Sequence, residues 1–458
     1  MCCRCPFRRL RGAALLASTG RLLASITCVA YACHPSFLSL MKFPTVFKTP
    51  PGPALSPAVT PQLAVLCLSG SLGGLELNSL KFAGWMQERG WRITFFAPPA
   101  TPLAKLAEEW FVPLETLVVR RGLALPLTAW AFKQQVERLH IDVLVVTQNK
   151  DLALATMVKS LMAGRMHVIY QQHMQLGRPK RSLVHTLRFR MVDAWLTPLP
   201  GLAQEVARLT RFDTKRLHVV PLGLPLEQFA SPTRTTAQAR KELDLPEHGR
   251  LLGILGRVDA GKGQAFVIEV LHHLRSQVGL EANLLIMGES TRNEGDAYFE
   301  QLKQQVARLA LQDRVHFRGF RANPNVFYQA IDVFVLASEN ETYGMVTLEA
   351  MASGVPVVAT ATGGTLELVQ HGKTGLLYLR GDVAACARAV CQCADEPTPT
   401  RIRVERAQLE RWRYSHHRQC ALTEDIIRTL RLTPTLLTRA LPVAINAAFS
   451  QAAAGQSN

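Results

Sequence analysis

From Leu63 onward, short apolar runs alternate with segments whose apolar positions recur at helical spacing. LAVLCLSG (63–70) reads as a buried strand, SLGG as a glycine-rich turn, ELNSLKFAGWMQERG as a helix, and WRITFFAP as the next strand. Further strands are predicted at IDVLVVTQ (141–148), MHVIYQQH (166–173), AWLTPL (194–199) and LHVVPLG (217–223). Runs this apolar suit parallel strands covered on both faces, and the β–loop–α–β order is that of a doubly wound sheet. One α/β domain is therefore expected over residues 60–225.

The polar stretch TRTTAQARKELDLPEHG interrupts the alternation and reads as a connection containing a short helix, so residues 226–250 are assigned to a linker. A second series follows over 251–395: LLGILGRV, NLLIMG, VHFRGF, VFVLAS, PVVAT and GLLYL, with helices between them. Residues 396–432 come after this sheet is complete and are helical, and the tail 433–458, rich in Ala, Ser, Gln and Pro, is expected to be loose. Two doubly wound domains in series place a ligand cleft at the carboxyl ends of their strands.

Composition sharpens this picture in one place. The net charge is +17, but residues 1–75 contain no Asp or Glu and seven basic residues, so the leader holds 7 of those charges and the remainder 10. The same segment carries Cys2, Cys3, Cys5, Cys28 and Cys33, half of the ten cysteines. Three readings fit it: a transit peptide, a secretory signal whose apolar core Arg21 breaks, or a start placed too early, with Met41 opening a second beginning. The last is preferred, and residues 1–58 are expected to be disordered or no part of the native protein. The other cysteines are scattered, which suits a reducing, cytoplasmic setting, and Cys391-Gln-Cys393 is read as ordinary rather than as a metal clip. No run of about eighteen apolar residues is present.

The chemistry concentrates in the second domain. In SENETYGMVTLEAMASGVPVVAT, Glu349 sits inside an apolar helix, where a carboxylate is costly unless something binds it. Glu341 precedes it by eight residues, too far round a helix to share its face, so Glu341 is placed in the loop after strand VFVLAS and the helix is started near Tyr343-Gly344. Free N–H groups at such a start suit a phosphate. Glu349, about 7–8 Å further along at ~1.5 Å per residue, is then set to accept the hydroxyls of a ribose; a structural pair with an arginine is the plainer alternative. ILGRVDAGKG places Gly256, Arg257 and Lys262 in a glycine-rich loop after the domain's first strand, where guanidinium and ammonium can grip a diphosphate; an exposed basic turn is the plainer reading.

Taken together, ILGRVDAGKG, the Glu341/Glu349 stretch, GGTLELV (363–369) and HGKTGLLY resemble the retaining glycosyltransferases of family 4, which have the GT-B fold: two Rossmann-like domains facing across a cleft, with a C-terminal helix crossing back to the first. The likeness covers about residues 60–430 and is strongest in the second domain. It implies transfer of a sugar from a nucleotide diphosphate sugar to an acceptor hydroxyl, with Arg257 and Lys262 on the diphosphate, Glu349 on the ribose, Glu341 on the donor sugar, and the amides after Thr342, at Tyr343 and Gly344, on sugar or phosphate. By the same likeness, Gly73 and Gly74 of SLGGLE let the backbone approach the donor phosphate or the acceptor, His173 contacts the donor sugar, and ERWRYSHHRQCALTEDIIRTL forms the crossing helix; a simple strand-to-helix turn and a hydrogen-bonded structural histidine are the plainer readings of the first two. Leu222 stands where the family usually has Asn.

Such a reaction needs no enzyme nucleophile; a cationic clamp and a helix N-terminus stabilise the departing diphosphate. Asp-x-Asp is missing from the strand ends, so metal independence and no cofactor are expected. The expected partners are a nucleotide-sugar donor and a glycan or lipid-linked acceptor. GRPKRSLVHTLRFR (177–190) is a basic, semi-apolar patch able to touch an anionic membrane, which would put the protein on the inner face of the plasma membrane, or a phosphorylated acceptor; an ordinary solvated helix face is the plainer and preferred reading. Nucleic-acid binding is not expected, because much of the basicity lies in the leader and no such motif occurs. A sugar-nucleotide epimerase lacks its paired acids here. A non-catalytic nucleotide-sugar-binding subunit should have lost one of Arg257, Lys262 or Glu341.

Overall fold

The structure is a computed structural model that describes residues 61–119, 122–230, 232–290, 297–321 and 323–432. Every described residue belongs to one compact unit, Lys48–Asn458. The expectations for residues 1–58 and 433–458 fall outside the described residues.

The first sheet comprises β1 (Gln62–Leu66), β2 (Arg92–Ala97), β3 (Leu114–Thr116), β4 (Ile141–Val146), β5 (His167–Gln171), β6 (Ala194–Thr197) and β7 (Leu217–Val219), all parallel, in the order β3-β2-β1-β4-β5-β6-β7. Its central strands are buried on both faces. Ala64 and Leu66 join one core with Phe96, Phe132 and Val146, while Leu63 and Val65 join the other with Trp85, Phe95 and Ile169. A side-chain period of two thus feeds two layers of helices, so the runs look continuously apolar in sequence.

The second sheet comprises β8 (Arg250–Leu255), β9 (Ala282–Met287), β10 (Val315–Arg318), β11 (Val333–Leu336), β12 (Val357–Thr360) and β13 (Leu376–Tyr378), again all parallel, in the order β10-β9-β8-β11-β12-β13. Within β8, Gly253 leaves room for Phe327 and Ile331, whose side chains come within 2.8 Å of where a Cβ would stand.

Three expectations need correction. Strand β3 has no counterpart among the predicted strands, because LET at a sheet edge carries too little apolar signal in three residues. The linker holds two helices, Leu226–Ala230 and Thr236–Glu242, the second closed by a capping box between Thr235 and Gln238. Several strands stop two or three residues before their apolar runs do. Residues Thr147–Gln148, Gln172–His173 and Leu199 are buried loop positions instead.

Two crossings join the domains, and they are zipped together. Leu224 N–H donates to the Tyr414 carbonyl at 2.8 Å, and His416 N–H donates to the Leu224 carbonyl at 3.1 Å. A Cβ on Gly223 would lie 2.4 Å from the His416 Cα, so the approach requires glycine. The helix His416–Leu432 then runs back over the first domain, as expected. Its Glu424 accepts a two-pronged bond from Arg89 at 2.7 and 2.8 Å and another from the Trp91 indole at 2.9 Å, while Cys420 and Ile427 enter the first domain's core. Among the described residues no helix is long and apolar enough to cross a membrane, and Cys67, Cys386, Cys391, Cys393 and Cys420 are free.

Candidate active site

Parallel strands all end on one side, so the loops after β5 and β6 meet those after β11 and β12. The side-chain amides of Gln175 and Asn340 pair reciprocally at 3.0 Å. Gly201, at the start of the helix Pro200–Leu209, donates its N–H to both carboxylate oxygens of Glu367 at 3.1 Å. The Tyr343 hydroxyl donates to the Leu222 carbonyl at 2.9 Å. That bond uses the backbone, so the Leu222 side chain does not disturb it.

The glutamate pair is positioned by glycines. The helix Met345–Ala352 begins after Gly344, whose φ of 94° is left-handed, and no side chain caps its first N–H groups. Glu341 and Thr342 lie before it, held against the Gly363-Gly364 turn. A Cβ at Gly363 would fall 2.3 Å from the Glu341 carbonyl, one at Gly364 would fall 2.5 Å from the Thr342 carbonyl, and Gly364 N–H donates to Glu341 O at 2.8 Å. The GGTLELV stretch is thus a template for the loop that carries Glu341.

Glu349 is buried, and its carboxylate accepts the Tyr328 hydroxyl at 2.8 Å. Burial pushes its acidity down, raising its pKa, while the Lys81 ammonium, from the helix Gly74–Glu88 of the first domain, and the Tyr328 hydroxyl pull the other way. Its hydrogen-bond partner is a tyrosine and not the arginine of the plainer reading.

Lys262 and Glu341 come together directly, Nζ to Oε2 at 2.9 Å. Gly263, at φ 77°, lets their loops touch: its Cβ would lie 2.3 Å from the Ala337 carbonyl, and Glu339 N–H donates to Gly261 O at 2.9 Å. Arg257 is not drawn into this pair. Its guanidinium is more than half exposed and lies 3.5 Å from Asp259. Gly256 is fixed in turn by Gly288. Both have φ near 150°, and a Cβ at Gly288 would sit 1.8 Å from the Gly256 carbonyl.

In the first domain, Gly73 and Gly74 open the helix Gly74–Glu88 with no side-chain cap. Glu76, buried in its first turn, accepts Gln148 at 3.3 Å. His173 follows β5 and is buried, its Nε2 has no protein partner, and burial depresses its pKa to about 4, so the ring is neutral at pH 7. Neighbouring Gln172 anchors the loop by accepting the Trp195 indole at 2.9 Å and donating to the Met174 carbonyl at 2.8 Å.

Sequence reasoning missed Tyr328, Lys81, Gln175, Asn340 and Glu367. Lys81, Asn340 and Glu367 stand inside segments quoted above, but nothing local distinguishes any of the five, whose partners are 21 or more residues away.

Residues 72–228 match the family described as Glycosyltransferase Family 4, and residues 235–410 match Glycosyl transferases group 1. Curated relatives include a D-inositol 3-phosphate glycosyltransferase of Xylanimonas cellulosilytica, 35% identical over 43% of this chain and 47% of its own. A lipopolysaccharide core biosynthesis mannosyltransferase, LpsB, of Rhizobium meliloti is 35% identical over 39% of this chain and 50% of its own. The chain spans about half the length of the curated relatives it matches. The crystal structure of Anabaena Alr3699/HepE in complex with UDP and glucose superposes with a TM-score of 0.70 over 80% of this chain and 99% of that one, at 22% identity, which is a likeness of fold.

Proposed function

We propose that this chain, in which a Glycosyltransferase Family 4 domain precedes a Glycosyl transferases group 1 domain, moves a sugar from a nucleoside diphosphate sugar to an acceptor hydroxyl with retention at the anomeric carbon. The observation that carries the reading is the grouping of Lys262, Glu341 and the uncapped start of the helix Met345–Ala352 where the two sheets' strand ends face each other. In the free protein Glu341 holds the Lys262 ammonium in place. When donor enters, the diphosphate takes the ammonium and the helix N–H groups, and Glu341 accepts hydroxyls of the sugar. Arg257, exposed beside Asp259, swings in as the second cation. Glu349 accepts the ribose hydroxyls while Tyr328 keeps its second oxygen occupied. His173, neutral and with a free Nε2, bonds a sugar hydroxyl from the other wall. Gly73 and Gly74 leave open backbone beside the phosphate.

In the step itself the anomeric carbon–phosphate oxygen bond breaks and an acceptor oxygen–carbon bond forms on the same face. The acceptor's proton passes to the departing phosphate oxygen. Positive charge supplied by lysine, arginine and peptide dipoles replaces a metal in this reading. The acceptor is a glycan or lipid-linked hydroxyl, in cell-surface polysaccharide, lipopolysaccharide or similar glycoconjugate synthesis. A membrane-borne acceptor is supported by Leu183, Val184 and Leu187, 71, 64 and 52% exposed on the helix Leu183–Arg190, which carries Arg188 and Arg190 in its last turn and follows Arg178, Lys180 and Arg181.

A thermal-shift screen with UDP, GDP, ADP and their sugars tests the donor, since a ligand at 100 times its Kd adds about 2.7 kcal/mol. Stabilisation by one nucleotide series, abolished in Lys262→Ala, is expected. No shift with any of them overturns the reading.

A further inference from the structure

The junction of the two domains carries a cluster that sugar transfer does not use. Glu227, on the helix Leu226–Ala230 just after the first crossing, faces His416 and His417, the first two residues of the helix that makes the second crossing. One ligand atom from each of the three lies within 4.8 Å of the others, and Glu227 Oε1 stands 3.9 Å from His417 Nε2. We infer that Glu227, His416 and His417 form a binding site for a divalent transition metal of the zinc class, which clamps the two interdomain crossings to each other.

Three observations support it. First, the spacing of the segments is set by backbone. Leu224 and Ser415 form a β-bridge, Leu224 and His416 share a main-chain hydrogen bond, and Gln419 Oε1 accepts the Gly223 N–H at 2.6 Å. Second, His416 Nδ1 lies 3.3 Å from the Leu224 carbonyl. A carbonyl only accepts, so the hydrogen is on Nδ1 and the lone pair on Nε2. A metal-binding histidine is ordinarily oriented in this way. Third, the donor set is two imidazoles and one carboxylate, which suits zinc better than magnesium or calcium.

Tetrahedral bonds of about 2.1 Å put donor atoms about 3.4 Å apart, so the cluster must contract by about 1.4 Å at its widest. Glu227 and His417 are both about half exposed, but the His417 ring lies against that of His416, centroids 3.9 Å apart, and has to turn off it to bring a nitrogen to a shared ion; His416 is buried with its ring 5.0 Å from that of Trp85. Water completes the coordination. Without metal, the Glu227–His417 contact is a weak surface pair, which is the alternative the experiment must exclude.

The test uses the full chain, stripped with EDTA and titrated with Co2+ under a competing chelator, and compares wild type with His417→Ala and Glu227→Gln. Cobalt separates this site from cysteine sites elsewhere in the chain, because nitrogen and oxygen ligands give visible bands without the near-ultraviolet thiolate charge transfer. The two substituted residues are exposed, so both variants should keep the wild-type circular dichroism; His416 is left intact because it is packed. Wild type is expected to take up one more equivalent of Co2+ than either variant, at least tenfold more tightly, and to gain a metal-dependent rise in Tm that both variants lack. No uptake of this kind by wild type, or uptake unchanged in either variant, overturns the site. Neither outcome depends on the donor reading, because no nucleotide sugar is used.

Discussion

The Lys262–Glu341 pair makes a prediction in which stability and activity part company. At 2.9 Å, with an effective dielectric of about 20, the mutual attraction is about 6 kcal/mol before desolvation. Side chains only 28 and 14% exposed give back most of that as lost hydration, so the net contribution to folding is about 0–1 kcal/mol. Lys262→Met should therefore lower the urea-derived stability by no more than about 1 kcal/mol. Its effect on transfer is of another size. The ammonium is one of the few preorganised donors for a leaving diphosphate, and loss of such a donor costs about 2.7–4 kcal/mol, or roughly 10²–10³ in kcat. Glu341→Gln frees the ammonium and keeps the shape, so nucleoside diphosphate should bind as tightly as before or more tightly, while turnover falls because the sugar loses a charged acceptor. The assay is release of nucleoside diphosphate from whichever donor stabilises wild type, read beside calorimetric binding of the diphosphate alone. Lys262→Met with wild-type turnover, or Glu341→Gln with weakened diphosphate binding, would refute the assignment of the pair to donor phosphate and sugar.

Glu349→Gln should keep a bond to Tyr328 and relieve a buried charge, so folding stability holds or rises while kcat/KM drops about tenfold to a hundredfold, at ~1.5–3 kcal/mol per charged bond; a parallel fall in both by urea denaturation and kinetics contradicts the ribose role. His173 has a folded pKa of about 4 against 6.5 unfolded, so the unfolded chain takes the proton first and stability is lost as pH falls from 6.5 towards 4, by at most about 3 kcal/mol. His173→Asn should flatten that limb relative to wild type, and an identical pH dependence of unfolding in the two refutes the neutral buried ring. Gly288→Ala drives a Cβ to 1.8 Å from the Gly256 carbonyl at a left-handed φ, and should lower stability by about 3 kcal/mol or more and abolish transfer; a wild-type melting temperature contradicts the packing. Glu424→Ala leaves the Trp91 indole buried without its acceptor and frees Arg89, for a loss of about 2–3 kcal/mol measured by denaturant midpoint, and an unchanged midpoint means that the crossing helix is not anchored there.

The apolar runs alone determined two doubly wound sheets, because a strand covered on both faces cannot hide its composition, and both sheets are parallel with their strands where those runs stand. The glycine-rich turns and the two glutamates were legible for a related reason: left-handed backbone and a carboxylate in an apolar helix are local anomalies that few sequences carry without cause. What binds what was decided only by tertiary structure. Glu349 meets Tyr328, Lys262 meets Glu341, Gln175 meets Asn340 and Gly201 meets Glu367 across separations of 21 to 166 residues, and hydrogen-bond partners at that distance leave no periodic trace in either segment. The edge strand β3 and the true ends of the other strands escaped for the complementary reason. Three residues are too few to show alternation, and a buried loop has the same composition as the strand it follows.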